Sequence, residues 1–240
     1  MNEESETGPR AERGLKRVRA FLAGELVVDT RTPVLVWEWP FYPAYYLPRD
    51  DVTAALEPAA DDRLDVCTAH GVAEKAARRT VVTVDGEDLD LVRVDWAAMD
   101  EWFEEDEPVY VHPRDPGVRV DVLASTRHVV MEVDGHRLVE SRQPRILLET
   151  RLPPRYYVPI TDVRMELLRP SSTISHCPYK GTASYWSVVL DGTVHEDLVW
   201  TYRSPLPESQ KVMGLASVYT EKVDLWLDGV LQDRPRTHFV

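Results

Sequence analysis

The chain has 240 residues, 43% of them hydrophobic and 29% charged, enough for one large domain or two of about 120 residues with real cores and no disulfide or metal staples. Lys and Arg total 28 against 41 Asp and Glu, a net charge of −13, which argues against a nucleic-acid partner that binds through clustered cations. No run reaches the ~18 apolar residues of a membrane helix, the opening Met1-Asn-Glu-Glu-Ser-Glu is acidic, unlike a secretory signal, and two cysteines, Cys67 and Cys177, are too few for a disulfide framework or a four-cysteine zinc site.

Taken in chain order, residues 1–14 are charged and lack an apolar period, and are expected to be a disordered tail. Ala23-Gly24 then separates Arg19-Ala-Phe-Leu from Glu25-Leu-Val-Val, a hairpin pattern. An apolar run, Val34-Leu-Val-Trp, ends on Glu38. After Pro48 the spacing of Asp51-Val-Thr-Ala-Ala-Leu predicts a short helix capped by Asp50 and stopped by Pro58. Asp85-Gly86 is a turn, with Asp88 and Asp90 on an exposed hairpin beside it; Glu101 to Glu107 reads as a solvated acidic loop, not a metal site. Further Asp-Gly turns follow at Asp134-Gly135, Asp191-Gly192 and Asp228-Gly229, most flanked by runs such as Val129-Val-Met-Glu-Val and Trp186-Ser-Val-Val-Leu. A second helix is predicted over Asp162-Val-Arg-Met-Glu-Leu-Leu, capped by Thr161 and stopped by Pro170, and a third over Pro207 to Val212. The reading is mainly β with short helices.

The chain also contains itself twice. Shifted by 111, Val18–Pro58 lies over Val129–Arg169 without a gap, and thirteen of 41 columns are identical, among them Gly24/Gly135, Glu38/Glu149, Tyr45/Tyr156, Tyr46/Tyr157 and Val52/Val163. Chance would supply about two or three. Shifted by 110, Cys67-Thr-Ala-His-Gly-Val-Ala falls on Cys177-Pro-Tyr-Lys-Gly-Thr-Ala. The expected organisation is an N-terminal repeat over 15–123, divergent, and a C-terminal repeat over 124–240.

Leu148-Glu-Thr-Arg-Leu-Pro-Pro-Arg-Tyr-Tyr-Val-Pro-Ile-Thr-Asp-Val-Arg, then His176-Cys-Pro-Tyr-Lys-Gly-Thr-Ala-Ser-Tyr-Trp, Val199-Trp-Thr-Tyr-Arg-Ser-Pro-Leu-Pro-Glu and Lys222-Val-Asp-Leu-Trp-Leu-Asp-Gly occur in order over the second half. This half resembles the family called domain of unknown function 427, and the first half resembles its divergent leading copy. The resemblance implies two homologous antiparallel β domains of β-tent-like topology. Some β-tent proteins bind zinc through paired Cys-x-x-Cys motifs and others hold ligands in aromatic pockets; this chain has no Cys-x-x-Cys. No phosphate loop, dinucleotide-binding fingerprint or Gly-x-Ser-x-Gly elbow occurs either.

Three constellations remain. Cys177 lies three residues before Lys180, and a neighbouring ammonium stabilises a thiolate; a small buried hydrophobe is the plainer role for such a cysteine. Glu38 and Glu149 each close an apolar run, with Arg31 and Arg142 seven residues upstream as natural partners. Tyr156, Tyr157, Tyr185, Trp186, Trp200 and Tyr202 can line a pocket or form core, and Arg151 and Arg155 flank them as a clamp for an anion or as ordinary surface charge. The expectation is a cytoplasmic protein that binds an unknown small molecule in an aromatic and polar pocket of the C-terminal repeat, without metal or cofactor and without a nucleic-acid or membrane partner. Two alternatives stand beside it. One is an enzyme with Cys177 as nucleophile and Lys180 or Glu149 as proton carrier; the other is a non-catalytic interaction scaffold.

Overall fold

Five two-residue turns set the register of the chain. Ala23-Gly24, Asp85-Gly86, Asp134-Gly135, Asp191-Gly192 and Asp228-Gly229 all hold positive φ at both positions, between 46° and 84°, as the mirror-image turns of right-twisted hairpins require. The computed structural model describes residues 9–237, and the chain divides into two units between Asp115 and Pro116. The expected tail at 1–14 therefore lies partly outside the described residues.

In the first unit the strands are β1 (Ala11–Arg13), β2 (Val18–Leu22), β3 (Glu25–Thr30), β4 (Val34–Trp39), β5 (Tyr42–Pro48), β6 (Ala55–Pro58), β7 (Leu64–Cys67), β8 (Val72–Val84), β9 (Glu87–Val94), β10 (Glu101–Glu104) and β11 (Glu107–Pro108). In the second they are β12 (Val120–Ala124), β13 (Val129–Val133), β14 (His136–Ser141), β15 (Arg145–Glu149), β16 (Arg155–Pro159), β17 (Leu168–Cys177), β18 (Gly181–Leu190), β19 (Thr193–Pro205), β20 (Leu215–Val218), β21 (Asp224–Leu227) and β22 (Val230–Leu231). Each unit pairs a seven-stranded antiparallel sheet with a four-stranded one: β1-β4-β5-β9-β8-β7-β6 with β11-β10-β2-β3, and β12-β15-β16-β20-β19-β18-β17 with β14-β13-β21-β22. The duplication read from sequence is thus a duplication of topology. Even the isolated bridge Val28–Val52 recurs as Val139–Val163, the same 111 residues on.

Alternation along the strands sends one side chain in two into a core between the sheets. In the first unit Val18, Ala20 and Leu22 of β2 meet Leu35, Tyr45, Leu47 and Val92 of the large sheet; in the second Val129, Met131 and Val133 of β13 meet Tyr156, Val158, Val199 and Ala216. A smaller cluster forms on the other face of each large sheet: Val34, Val36, Tyr46 and Leu91 in the first unit, Leu147, Tyr157, Tyr185, Trp200 and Tyr202 in the second. That second-unit face holds the candidate site.

Three expectations are corrected. The helices after Pro48 and Pro159 are only 3₁₀ turns, Arg49–Asp51 and Ile160–Asp162, with another at Met165–Leu167. Val52 and Val163 take extended backbone to pair across, and Ala55 and Leu168 begin strands. Two turns of helical pattern are too short to resist β-branched residues with a ladder partner at hand. Pro207–Val212 is helical as expected, in 3₁₀ form. Ala11–Arg13, assigned to the tail, is an edge strand on β4, its charges matched by Arg10–Glu12 and Arg13–Glu87 pairs; charge at an edge discourages further pairing. Finally, β12 falls before the expected boundary at 123/124 but pairs β15 over Val120–Ala124 and buries Val122. It belongs to the second repeat, which starts near Pro116.

Among the described residues no helix is long and apolar enough to cross a membrane. A fragment beginning at Pro116 is expected to unfold cooperatively in urea, whereas one beginning at Ser125 loses at least about 2 kcal/mol through exposure of the Val122 site and the β15 edge. Equal stabilities return the boundary to 123/124.

Candidate functional site

Strand β16 shows how the sheet sorts the predicted residues. Tyr156 points into the core between the sheets with Val158, while Arg155 and Tyr157 point to the outer face. On β18 and β19, Tyr185, Trp200 and Tyr202 share that outer face, but Trp186 packs against the intersheet core. Tyr156 and Trp186 therefore drop out of the expected site as core residues. Arg151 stands in the β15–β16 turn at φ 68°, exposed and on no strand.

The outer face is built around Tyr157, which is fully buried. Its hydroxyl accepts the Trp200 indole N–H at 3.0 Å, and the two rings meet edge to face at 6.2 Å. Burial pushes the Tyr157 phenol well above its usual range against the opposing Trp200 hydrogen bond, and does the same to Tyr202. Both rings remain neutral hydrogen-bonding groups at any physiological pH.

Lys180 joins this cluster from the β17–β18 hairpin. The hairpin is closed by the Cys177–Gly181 pair, and Gly181 sits at φ 97° with no room to spare: a Cβ there would lie 3.4 Å from the Ser204 carbonyl oxygen. The Lys180 ammonium donates to Glu149. Its side chain is 13% exposed and that of Glu149 8%. Burial works against the charged lysine, but its neighbours Cys177 and Glu149 outweigh it, and the amine is held above its ordinary value. Thiol, ammonium and carboxylate thus converge as expected, with Cys177 half-buried at the rim. His176, the next residue back, instead pairs its ring with Thr182 at 3.0 Å.

Arg155 closes the other end. It donates two hydrogen bonds to Glu221 at 2.6 and 2.5 Å and one to Thr220, and its guanidinium lies 5.7 Å from both the Trp200 and Tyr219 rings. It is not an open anion clamp, because Glu221, 3% exposed, already fills that role. Burial raises the Glu221 carboxyl, but Arg155 and Thr237 donate strongly enough to hold it below the ordinary carboxylate value.

Arg31 and Arg142 lie exposed on the turns before β4 and β15, and neither is the partner expected for its glutamate. Lys180 serves Glu149. Glu38 is held by Arg78, by Arg93 at 3.0 Å and by the Tyr46 hydroxyl at 2.5 Å. The turn-borne arginines sit at the wrong end of the strand.

The Cys67–Cys177 match also fails. Counted outward from β5 and β16, β7 corresponds to β18 and β6 to β17. Cys177 ends the outermost strand, whereas Cys67 ends the one inside it, at the opposite end of its sheet. Cys67 lies near Glu57 and Asp65, and burial with those charges pushes its thiol up. His70, the expected counterpart of Lys180, pairs instead with Glu25 at 2.8 Å. The thiol site belongs to the second repeat alone.

Sequence reasoning missed Ser217. Val158 pairs Ala216 as Leu47 pairs Val92, so Ser217 and Arg93 are equivalent; Trp200 opposite Ser217 then matches Arg78 opposite Arg93. The cross-strand row Tyr46–Arg93–Arg78, which Glu38 meets through hydrogen bonds, becomes Tyr157–Ser217–Trp200, with Glu149 at the sequence position equivalent to Glu38. In the first repeat every member is hydrogen-bonded within the row or to Glu38. In the second, the Ser217 hydroxyl is fully buried and has no hydrogen-bond partner among the described residues, a state that costs about 1–3 kcal/mol unless something fills it. The missing signal was the repeat offset, which grows beyond 111 before β19 because β17 and β18 are longer than their counterparts β6 and β7.

Truncating Arg155 to Ala leaves Glu221 buried and unpaired, and is expected to cost about 3–5 kcal/mol in urea unfolding at pH 7. Glu221 is depressed in the folded state, so its contribution is present above the unfolded value near about 4.3 and is lost as pH falls through the lower folded value. In Arg155→Met, burial is opposed only by Thr237 and the Glu221 backbone, the carboxyl rises relative to wild type, and the deficit shrinks as pH falls toward about 4. A pH-independent deficit contradicts the assignment.

A family model described as a domain of unknown function (DUF427) matches residues 10–92 and 121–229. No curated protein matches the chain. The two matched segments coincide with the two structural repeats and start just before β1 and within β12. The chain belongs to the DUF427 family and carries its domain twice.

Proposed function

We propose that the protein binds a small molecule at the outer face of the second repeat, where the ligand meets the half-buried Cys177 and the Tyr157–Ser217–Trp200 row beneath it, with Glu149 alongside. The observation that carries this reading is the difference between equivalent rows. Arg93 and Arg78 complete the first row with donors, whereas the second keeps a buried hydroxyl unanswered beside a phenol and an indole. A polar group buried without a partner is unfavourable in a merely structural face. Cytoplasmic residence fits the two unpaired cysteines, which stay reduced there.

The placing of Lys180 and Cys177 on one hairpin favours a second reading of the same site. In it the thiol loses its proton to solvent and the thiolate adds to an electron-poor double bond of the ligand, whose π electrons then take up a proton from solvent. Lys180 is held as an ammonium between thiol and carboxylate and is positioned to stabilise a thiolate. Glu149 then keeps the ammonium aimed.

Both readings are tested by thermal-shift screening of a small-molecule library against wild type, Cys177→Ala and Ser217→Val, coupled to alkylation mapping with iodoacetamide at neutral pH. Binding is expected to raise the wild-type melting temperature by about 2 °C or more and to shift Ser217→Val much less. Cys177 is expected to alkylate about tenfold faster than Cys67, and Lys180→Met to remove most of that difference. Equal shifts in all three proteins contradict the binding site, and equal alkylation rates contradict the nucleophile.

A further inference from the structure

The first repeat holds a cleft that the site above does not use. It has a volume of 520 Å³ and lies entirely within that repeat, between the β4–β5 hairpin end, the end of β9 with the following 3₁₀ turn at Trp96–Ala98, and the segment Val111–Pro113. That is the size of an ordinary small-ligand pocket.

Its walls are aromatic and already arranged in flat pairs. Tyr42 stacks on His112 with centroids 4.0 Å apart and planes 12° from parallel. Trp96 stacks on Trp102 at 4.6 Å and 9°, with the Tyr45 ring 6.4 Å from each. At the rim, Trp39 is 54% and Tyr42 39% exposed, so two large rings face solvent beside the opening. Tyr45 is fixed from behind: its hydroxyl donates to the buried Glu104 at 2.8 Å, and Glu104 also receives Lys16. Tyr45 and Trp102, 5% and 3% exposed, are thus a fixed floor beneath the cleft.

The charged lining is spent within itself. Glu38 takes donors from Tyr46, Arg78 and Arg93, Arg93 also donates to Asp95, and Asp95 receives Arg63 as well. Burial raises the Glu38 carboxyl, but Arg93 and Tyr46 donate strongly enough to keep it below its ordinary value, so it stays ionised and paired. An anionic ligand would have to compete with Glu38 and Asp95 for the same guanidinium groups, and a cationic one would have to displace those groups. Neither exchange gains a net ion pair, and each desolvates a new charge. What remains for recognition is ring stacking, sequence-tolerant in charge but selective for flatness.

We infer that this cleft binds a neutral, planar aromatic molecule by stacking against the rings of Tyr42, His112 and Trp96. The site is separate from the thiol cluster and its occupancy does not depend on Cys177. The test uses the full chain and three probes with one ring and different charge: nicotinamide (neutral), nicotinate (anionic) and 1-methylnicotinamide (cationic), followed by saturation-transfer difference NMR titration. Nicotinamide is expected to bind saturably and about tenfold more tightly than either charged analogue. Tyr42→Ala, at an exposed rim position, is expected to weaken it about fivefold or more, with an unchanged melting temperature showing that the fold is intact, while Cys177→Ala leaves it unchanged. Trp39→Ala serves as a second rim variant should Tyr42→Ala unfold. Equal or tighter binding of a charged analogue, binding that survives both rim variants, loss of binding in Cys177→Ala, or no binding of any probe overturns the inference.

Discussion

Tyr157 meets an indole and lies over a buried serine because β15, β16, β20 and β19 are locked in antiparallel register, with Val158 opposite Ala216 and Trp200 opposite Ser217. A slip of one residue in any of these pairings would turn Tyr157 into the intersheet core and bring Tyr156 out. The hairpin turns that fix the register are therefore as much a part of the site as the side chains. The same register in the first repeat places Arg93 and Arg78 in the row and closes it with guanidinium donors. One scaffold thus carries two sets of hydrogen-bonding groups, which differ at Arg93/Ser217 and Arg78/Trp200.

Buried ion pairs flank the second row at both ends, Lys180–Glu149 near the thiol and Arg155–Glu221 near Trp200. Such pairs add little net stability over well-packed apolar residues, because desolvation offsets most of the Coulomb gain, yet removing one partner is costly. They therefore behave as fixed posts: the carboxylates cannot swing, and the rings stacked against Arg155 cannot either. A face held this way is pre-arranged for whatever it contacts. The first repeat uses the same device differently, since its chain of Arg78, Glu38, Arg93, Asp95 and Arg63 leaves each charged group beside the cleft already paired.

Much of the architecture was legible because its signals are local. Asp-Gly dipeptides demand positive φ, and a gapless 41-residue internal match cannot arise by chance at that identity. The convergence of Cys177, Lys180 and Glu149 was legible too, since a three-residue hairpin brings thiol and amine together and the apolar run before Glu149 buries its carboxylate. What escaped was non-local. Which face Tyr156 or Trp186 takes depends on strand register and on the bulge between Trp186 and Val188. The partner of Arg155, Glu221, is 66 residues away in sequence. The misassigned partner of Cys177 has the same origin: a short run of identities was matched by sequence offset, while the sheet counts strands. Polar edge strands such as Ala11–Arg13 carry no apolar period to find.

The central claim is that the outer face of the second repeat leaves a buried hydroxyl unanswered where its counterpart supplies guanidinium donors. A high-resolution crystal structure of the chain tests it most directly. The account predicts density from a bound molecule or ordered water hydrogen-bonded to the Ser217 hydroxyl and continuous with the space beside Tyr157 and Cys177, and none at Arg93. A Ser217 hydroxyl turned onto a protein carbonyl, with apolar side chains packed over Cys177, would contradict it.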